Sequence, residues 1–122
     1  MKQLIIIFSL LFVVTSMSSQ SDYYMQLARD YQRQAEYYSK QAQGYDRQAD
    51  YYNRQTQGYL REAEYYSKRE KYDRVNSYQR RARIATDKAE SYRRKADNAR
   101  EKAQSYMRKA ENTLEKAKKQ NK

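Results

Sequence analysis

Residues 23–64 read YYMQLARDYQRQAE, YYSKQAQGYDRQAD and YYNRQTQGYLREAE, three copies of one fourteen-residue unit. Fourteen residues are two heptads. With Ala28 as position a, Ala35, Ala42, Ala49, Thr56 and Ala63 fall at a, and Tyr24, Tyr31, Tyr38, Tyr45, Tyr52, Tyr59 and Tyr66 fall at d. An apolar seam repeating every 3.5 residues marks a left-handed coiled coil. Ala, Gln, Glu, Lys and Arg, which fill most other positions, favour helix intrinsically. The fold class is therefore all-α, built from long amphipathic heptad helices with Ala at a and Tyr at d.

The repeat extends outward from this stretch. A short unit, YYSKREKYDRVN (65–76), is followed by SYQRRARIATDKAE (77–90), SYRRKADNAREKAQ (91–104) and SYMRKAENTLEKAK (105–118). In this second half a is Ala82, Ala89, Ala96, Ala103, Ala110 and Ala117, and d is Tyr78, Ala85, Tyr92, Ala99, Tyr106 and Thr113. The unit 65–76 is two residues short. At about 100° per residue the deletion turns the seam through roughly 200°, so one straight seam cannot pass 67–77. Either the chain breaks there into an antiparallel helical hairpin, which the near-equal arms favour, or a bent coiled-coil rod presents opposite faces to different partners. Asp73 and Ser77 are candidate N-caps of a second helix. No Gly or Pro lies in the segment to make a turn. The expected organisation is a Tyr-rich helical arm over 20–69, a hinge or turn over 70–76 and a basic Ala/Lys-rich arm over 77–122. Volume matching in an antiparallel pair sets Tyr of one arm over Ala of the other.

Residues 1–19 are of another kind. Lys2 precedes an apolar run, Leu4–Val14, broken only by Ser9, and small residues follow. This pattern predicts a secretory signal peptide cleaved after Ser16, Ser18 or Ser19. Eleven residues of helix reach about 16 Å, half the ~30 Å of a bilayer core, which disfavours an anchor. The expected location is secreted and extracellular, and the surface has no Asn-x-Ser/Thr acceptor for N-linked sugar.

Composition narrows the chemistry. The 122 residues include no Cys, His, Trp or Pro, and only Gly44 and Gly58. Disulfides, a thiol nucleophile, a Cys/His metal site and a His-based catalytic triad are excluded. The carboxylates sit on repeat positions with no pocket to shift their pKa, and no phosphate or calcium loop is visible, so no enzyme and no cofactor are expected. Beyond residue 19 the large aliphatics are Leu27, Leu60, Val75, Ile84 and Leu114, with Met25 and Met107, too few for a globular core.

Charge is divided unequally. Residues 20–70 carry eight basic and eight acidic side chains, whereas 71–122 carry seventeen and seven. The excess includes a Lys row at g (Lys88, Lys95, Lys102, Lys109 and Lys116), the cluster Arg80, Arg81 and Arg83, and the tail Lys118, Lys119 and Lys122. Solvation of a helix explains mixed charge, and acid–base pairs such as Glu36–Lys40, Asp50–Arg54 and Glu90–Arg94 support it locally. It does not explain a net of +10 confined to one arm. These basic residues are candidate contacts for a polyanion: an acidic polysaccharide, an anionic matrix protein or a mineral surface. No motif for specific nucleic-acid recognition is present. Membrane binding is disfavoured because an Ala/Tyr face inserts weakly.

Tyr occurs 15 times. The d-position rings are accounted for by the seam. Tyr23, Tyr37, Tyr51 and Tyr65 fall instead at c, away from it. Two readings apply: packing against a third helix, or an exposed phenol ladder open to oxidation, coupling or reaction with Lys. Tyr37–Lys40, Tyr51–Arg54 and Tyr65–Lys68 are spaced for cation–π contact. The composition resembles that of tyrosine- and lysine-rich structural proteins of byssus, cement, cuticle and shell matrix, many of which differ in being rich in Gly or Pro. The expected function is a secreted structural protein of an extracellular matrix or biomaterial, self-associating through Tyr/Ala coiled coils and cross-linked through Tyr. Alternatives are a secreted cationic effector acting on polyanions or membranes, as in defence, and a soluble partner-binding helical bundle.

Overall fold

The computed structural model describes residues 19–120. The expected leader therefore lies outside the described residues except for Ser19, as does Lys122. Two helices account for the fold, α1 (Ser19–Lys68) and α2 (Tyr72–Gln120). They pack against each other as an antiparallel hairpin, and no strand occurs among the described residues. The described residues divide into two compact units, residues 38–101, and residues 19–37 with 102–120.

The unit 38–101 contains the turn. The connection is shorter than the expected hinge at 70–76, because only Arg69, Glu70 and Lys71 lie outside helix. Asp73 and Ser77 do not cap α2; both lie within it. The last turn of α1 closes by a Schellman pattern, in which the Lys71 amide donates to Tyr66 O at 3.0 Å and the Glu70 amide to Ser67 O at 3.0 Å. Glu70 takes the left-handed conformation, φ 57°, that Gly usually supplies. The Lys71 carbonyl then accepts from Arg74 and Val75, starting α2. A turn thus forms without Gly or Pro because one Glu accepts a strained backbone.

The core of this unit is made of methyl groups. Ala42, Ala49, Ala63, Ala82, Ala85, Ala89, Ala96 and Ala99 are buried, and Val75 joins them at the turn end. Burying one methyl contributes roughly 0.8 kcal/mol. Small residues let the two backbones approach closely, and Tyr rings fill the space beside them. The rings do not follow the simple expectation of Tyr over Ala. Tyr92 of α2 lies between two α1 rings, Tyr45 at 6.1 Å and Tyr52 at 5.8 Å, the latter stacked at 6°. Tyr78 lies likewise between Tyr59 at 6.2 Å and Tyr66 at 5.7 Å. Tyr comes every seven residues along this part of α1 but every fourteen along α2, where Ala85 and Ala99 alternate with Tyr. The small residue then separates one ring triplet from the next, so Tyr meets both Tyr and Ala.

One polar group lies at position a. Thr56 Oγ1 is 3.1 Å from Tyr52 O, 3.4 Å from Ala82 O and 3.2 Å from Thr86 Oγ1. It carries one proton, so it donates to a carbonyl and can accept from Thr86. This bond spans the two helices and favours one register.

In the second unit, residues 19–37 pack on 102–120. Ala28, Ala35, Ala103, Ala110 and Ala117 are buried there. Ser21 is fully buried and donates to Ala117 O at 3.0 Å. Tyr31 and Tyr106 lie 6.1 Å apart. The seam's chemistry is the same in both units.

Candidate functional site

The helical periodicity sorts the predicted site residues into three groups. The c-position tyrosines form the first. Tyr23, Tyr37, Tyr51 and Tyr65 are 62%, 54%, 47% and 47% exposed. Tyr23, Tyr51 and Tyr65 each set their ring edge-to-face on the next seam tyrosine, at 5.3, 5.0 and 5.1 Å. That contact fixes one edge of each ring and leaves about half of its surface open. Tyr65 carries the Arg69 guanidinium 3.8 Å above its ring, rather than the ammonium of Lys68 that the three-residue spacing suggested; Lys68 reaches Glu64 at 3.8 Å.

The second group is the Lys row at g of α2. All five lysines are exposed, but four of them also lie over seam rings. In 38–101, Lys88 Nζ is 5.4 Å from the Tyr52 centroid, and Lys95 Nζ is 6.0 Å from Tyr45 and 5.0 Å from Tyr92. In the other unit, Lys109 lies 5.9 Å from Tyr31 and 4.9 Å from Tyr106, and Lys116 lies 5.9 Å from Tyr24. Lys102 shares the heptad position and the exposure. At exposed sites such contacts contribute about 0.5–1 kcal/mol and leave the charge in water. The row is thus both a lid on the aromatic seam and a cationic surface. Sequence reasoning missed the first role, although g of one antiparallel helix lies beside d of its partner.

The remaining bases form the third group. Arg80 and Arg83 are exposed, and Arg81 lies 5.0 Å over Tyr78. Lys118 and Lys119 sit in the last turn of α2, where positive charge complements the helix dipole.

The opposite flank of 38–101 is neutralised. Arg93 donates to Asp46 at 3.3 Å and to Asp50 at 2.8 Å, and Arg100 donates to Asp46 at 2.7 Å and Asp97 at 2.8 Å. The bonds to Asp46 and then Asp97 favour the charged guanidinium and raise the Arg100 pKa above its ordinary value. Asp50, expected to support Arg54 within its own helix, is instead engaged across the hairpin. Cations at e of α2 are therefore paired with acids, while the g row of α1 in this unit is Gln41, Gln48 and Gln55, with Glu62 its acid. The g flank of this unit therefore carries more positive than negative charge.

Among the described residues no group of three or more His, Cys, Asp or Glu could hold a metal ion, and no helix is long and apolar enough to cross a membrane. No protein-family model matches the chain, and no curated protein or solved structure is significantly similar to it.

Proposed function

We propose that this is a secreted structural protein of an extracellular matrix or biomaterial, of the shell, byssus, cement or cuticle kind. Its basic helix holds acidic matrix components and its c-position tyrosines join chains together. The observation that carries this reading is the set of half-exposed rings at a single heptad position, Tyr23, Tyr37, Tyr51 and Tyr65. Tyr23, Tyr51 and Tyr65 each rest one edge on a seam ring, and about half of each ring stays open to a second chain. The Ala/Tyr seam is closed within one chain, so assembly between chains is assigned to the outer rings rather than to the seam. Among the described residues the same closure covers the Ala/Tyr seam, which weighs against a membrane-active effector.

Coupling follows phenol chemistry with a peroxidase and hydrogen peroxide as oxidant. Two phenols each give up one electron and one proton, and the peroxide takes both pairs to become two waters. The two phenoxyl radicals join through their ortho carbons, and the displaced ring hydrogens return to oxygen. Peroxidase treatment of the purified protein is expected to give dityrosine fluorescence and covalent multimers. In a Tyr72→Phe background, which removes the 59% exposed phenol at the start of α2, replacing Tyr23, Tyr37, Tyr51 and Tyr65 together with Phe should abolish most of both while leaving the helical signal unchanged. Multimers that persist in that variant would refute the assignment.

A further inference from the structure

The alternation of Tyr and Ala along α2 leaves a notch in the cationic flank. Tyr52 and Tyr59 wall it, Ala85 lies at its base, and Gln55, Arg81 and Lys88 complete the lining with Ile84. Its volume is about 130 Å³. Ala85 is 4% exposed and supplies one methyl where the d positions on either side supply Tyr78 and Tyr92. Both walls are held by their own ring partners, Tyr52 by Tyr92 and Tyr59 by Tyr78. The cations are oriented as well, with Lys88 over Tyr52 and Arg81 over Tyr78. Two aromatic walls, an amide and two positive groups thus converge on one small opening.

We propose that this notch binds one acidic sugar residue of an extracellular polysaccharide. The proposal rests on the polyanion-holding part of the function above and gives it a place. The volume is well below the roughly 300–1,000 Å³ of pockets for drug-sized ligands, and suits a single ring. A sugar ring has C–H faces that pack on aromatic rings, and hydroxyls that pair with Gln55 and the phenols. Its carboxylate or sulfate meets Arg81 and Lys88; the guanidinium can grip it with two parallel hydrogen bonds. An uncharged ring would leave the two cations without a partner, and an acidic peptide would leave the aromatic walls without a ring.

A single shallow contact binds weakly, so a polymer is the fitting ligand. Ala99 repeats the small d residue fourteen positions on, about 21 Å along the helix, beside Tyr45. One chain that meets successive sites gains affinity through effective concentration.

Binding of the full chain to heparin, to polyglutamate and to neutral dextran, each measured over a range of salt, tests this. Heparin should bind more tightly than polyglutamate at equal charge, and dextran should not bind. Arg81→Gln with Lys88→Gln should weaken heparin binding by at least about tenfold and lower the salt slope by about 1.5. Lys118→Gln with Lys119→Gln removes the same charge elsewhere and should cost less than about threefold. Ala85→Leu fills the notch without changing charge and should weaken binding too. Arg81→Lys with Lys88→Arg should retain it. Thermal melts of each variant separate lost binding from lost fold, and Lys88→Gln alone serves if the double variant unfolds. Equal losses from the two charge-removing pairs, wild-type affinity in folded Ala85→Leu, or equal affinity for polyglutamate would overturn the notch while leaving polyanion binding intact. Failure of the wild type to bind any polyanion would instead overturn the parent reading.

Discussion

Within residues 38–101 the two helices use the same fourteen-residue period in different ways. α1 places Tyr at every d, namely Tyr45, Tyr52, Tyr59 and Tyr66, and so presents a uniform aromatic stripe. α2 places Tyr at every second d and Ala between, so Tyr92 meets two α1 rings while Ala85 sits at the base of a notch. Had both helices carried Tyr at every d, the layers would be overfilled; had both alternated, half the layers would be hollow. The mismatch lets a two-helix seam be packed at the Tyr92 and Tyr78 layers and open beside Ala85. It separates close ring packing from an open notch along a single stripe.

That contrast is tested most severely by deleting rings one at a time. Tyr92 meets two rings, Tyr52 and Tyr45, whereas Tyr45 meets Tyr92, so their losses should differ although the residue type is the same. Tyr92→Ala is expected to destabilise by about 3 kcal/mol and Tyr45→Ala by about 2 kcal/mol, since each aromatic pair adds about 0.5–1.5 kcal/mol to the burial lost. In a domain of this size 1 kcal/mol moves the midpoint by about 4–8 °C, so thermal melts resolve the difference. Equal midpoints for the two variants would mean that the triplets do not act as units.

Much of the architecture was legible in the chain. The a and d positions, the break within the twelve-residue unit and the separation of c from d tyrosines all follow from a period that can be counted. What was not legible depends on how the two helices are offset. The placing of Tyr92 between Tyr45 and Tyr52, the reach of Lys95 onto Tyr45 and of Lys88 onto Tyr52, and the capture of Asp50 by Arg93 rather than Arg54 each need the partner helix in its register. The turn was hidden for another reason. Its signal is ordinarily Gly, and here a left-handed Glu70 takes that place at an energetic cost that composition does not reveal.

That cost can be measured. A side chain in the left-handed region costs about 1–2 kcal/mol, while Gly there loses some backbone entropy on folding. Glu70→Gly is therefore expected to stabilise the hairpin by about 0.5–1 kcal/mol, read as a higher denaturant midpoint with an unchanged slope. A lower midpoint would show that Glu70 makes a compensating interaction larger than its strain.

The smallest expected effects belong to the outer face of α1, where Gly44 and Gly58 occupy c positions that alternate with Tyr37, Tyr51 and Tyr65. Neither glycine has a positive φ, and a methyl added at either meets no atom within 4 Å. Helix physics therefore gives no reason for them: Gly in a helix interior is less favourable than Ala by about 0.8–1 kcal/mol. Gly44→Ala and Gly58→Ala should each raise stability by about 0.5–1 kcal/mol, with additive effects because the sites lie fourteen residues apart. If peroxidase-driven joining of chains falls in the double variant while the melting temperature rises, the glycines are the spaces that admit a partner's ring between exposed tyrosines. Unchanged joining would leave them as sites of plain helix weakening, and the outer face of α1 would act through its phenols alone.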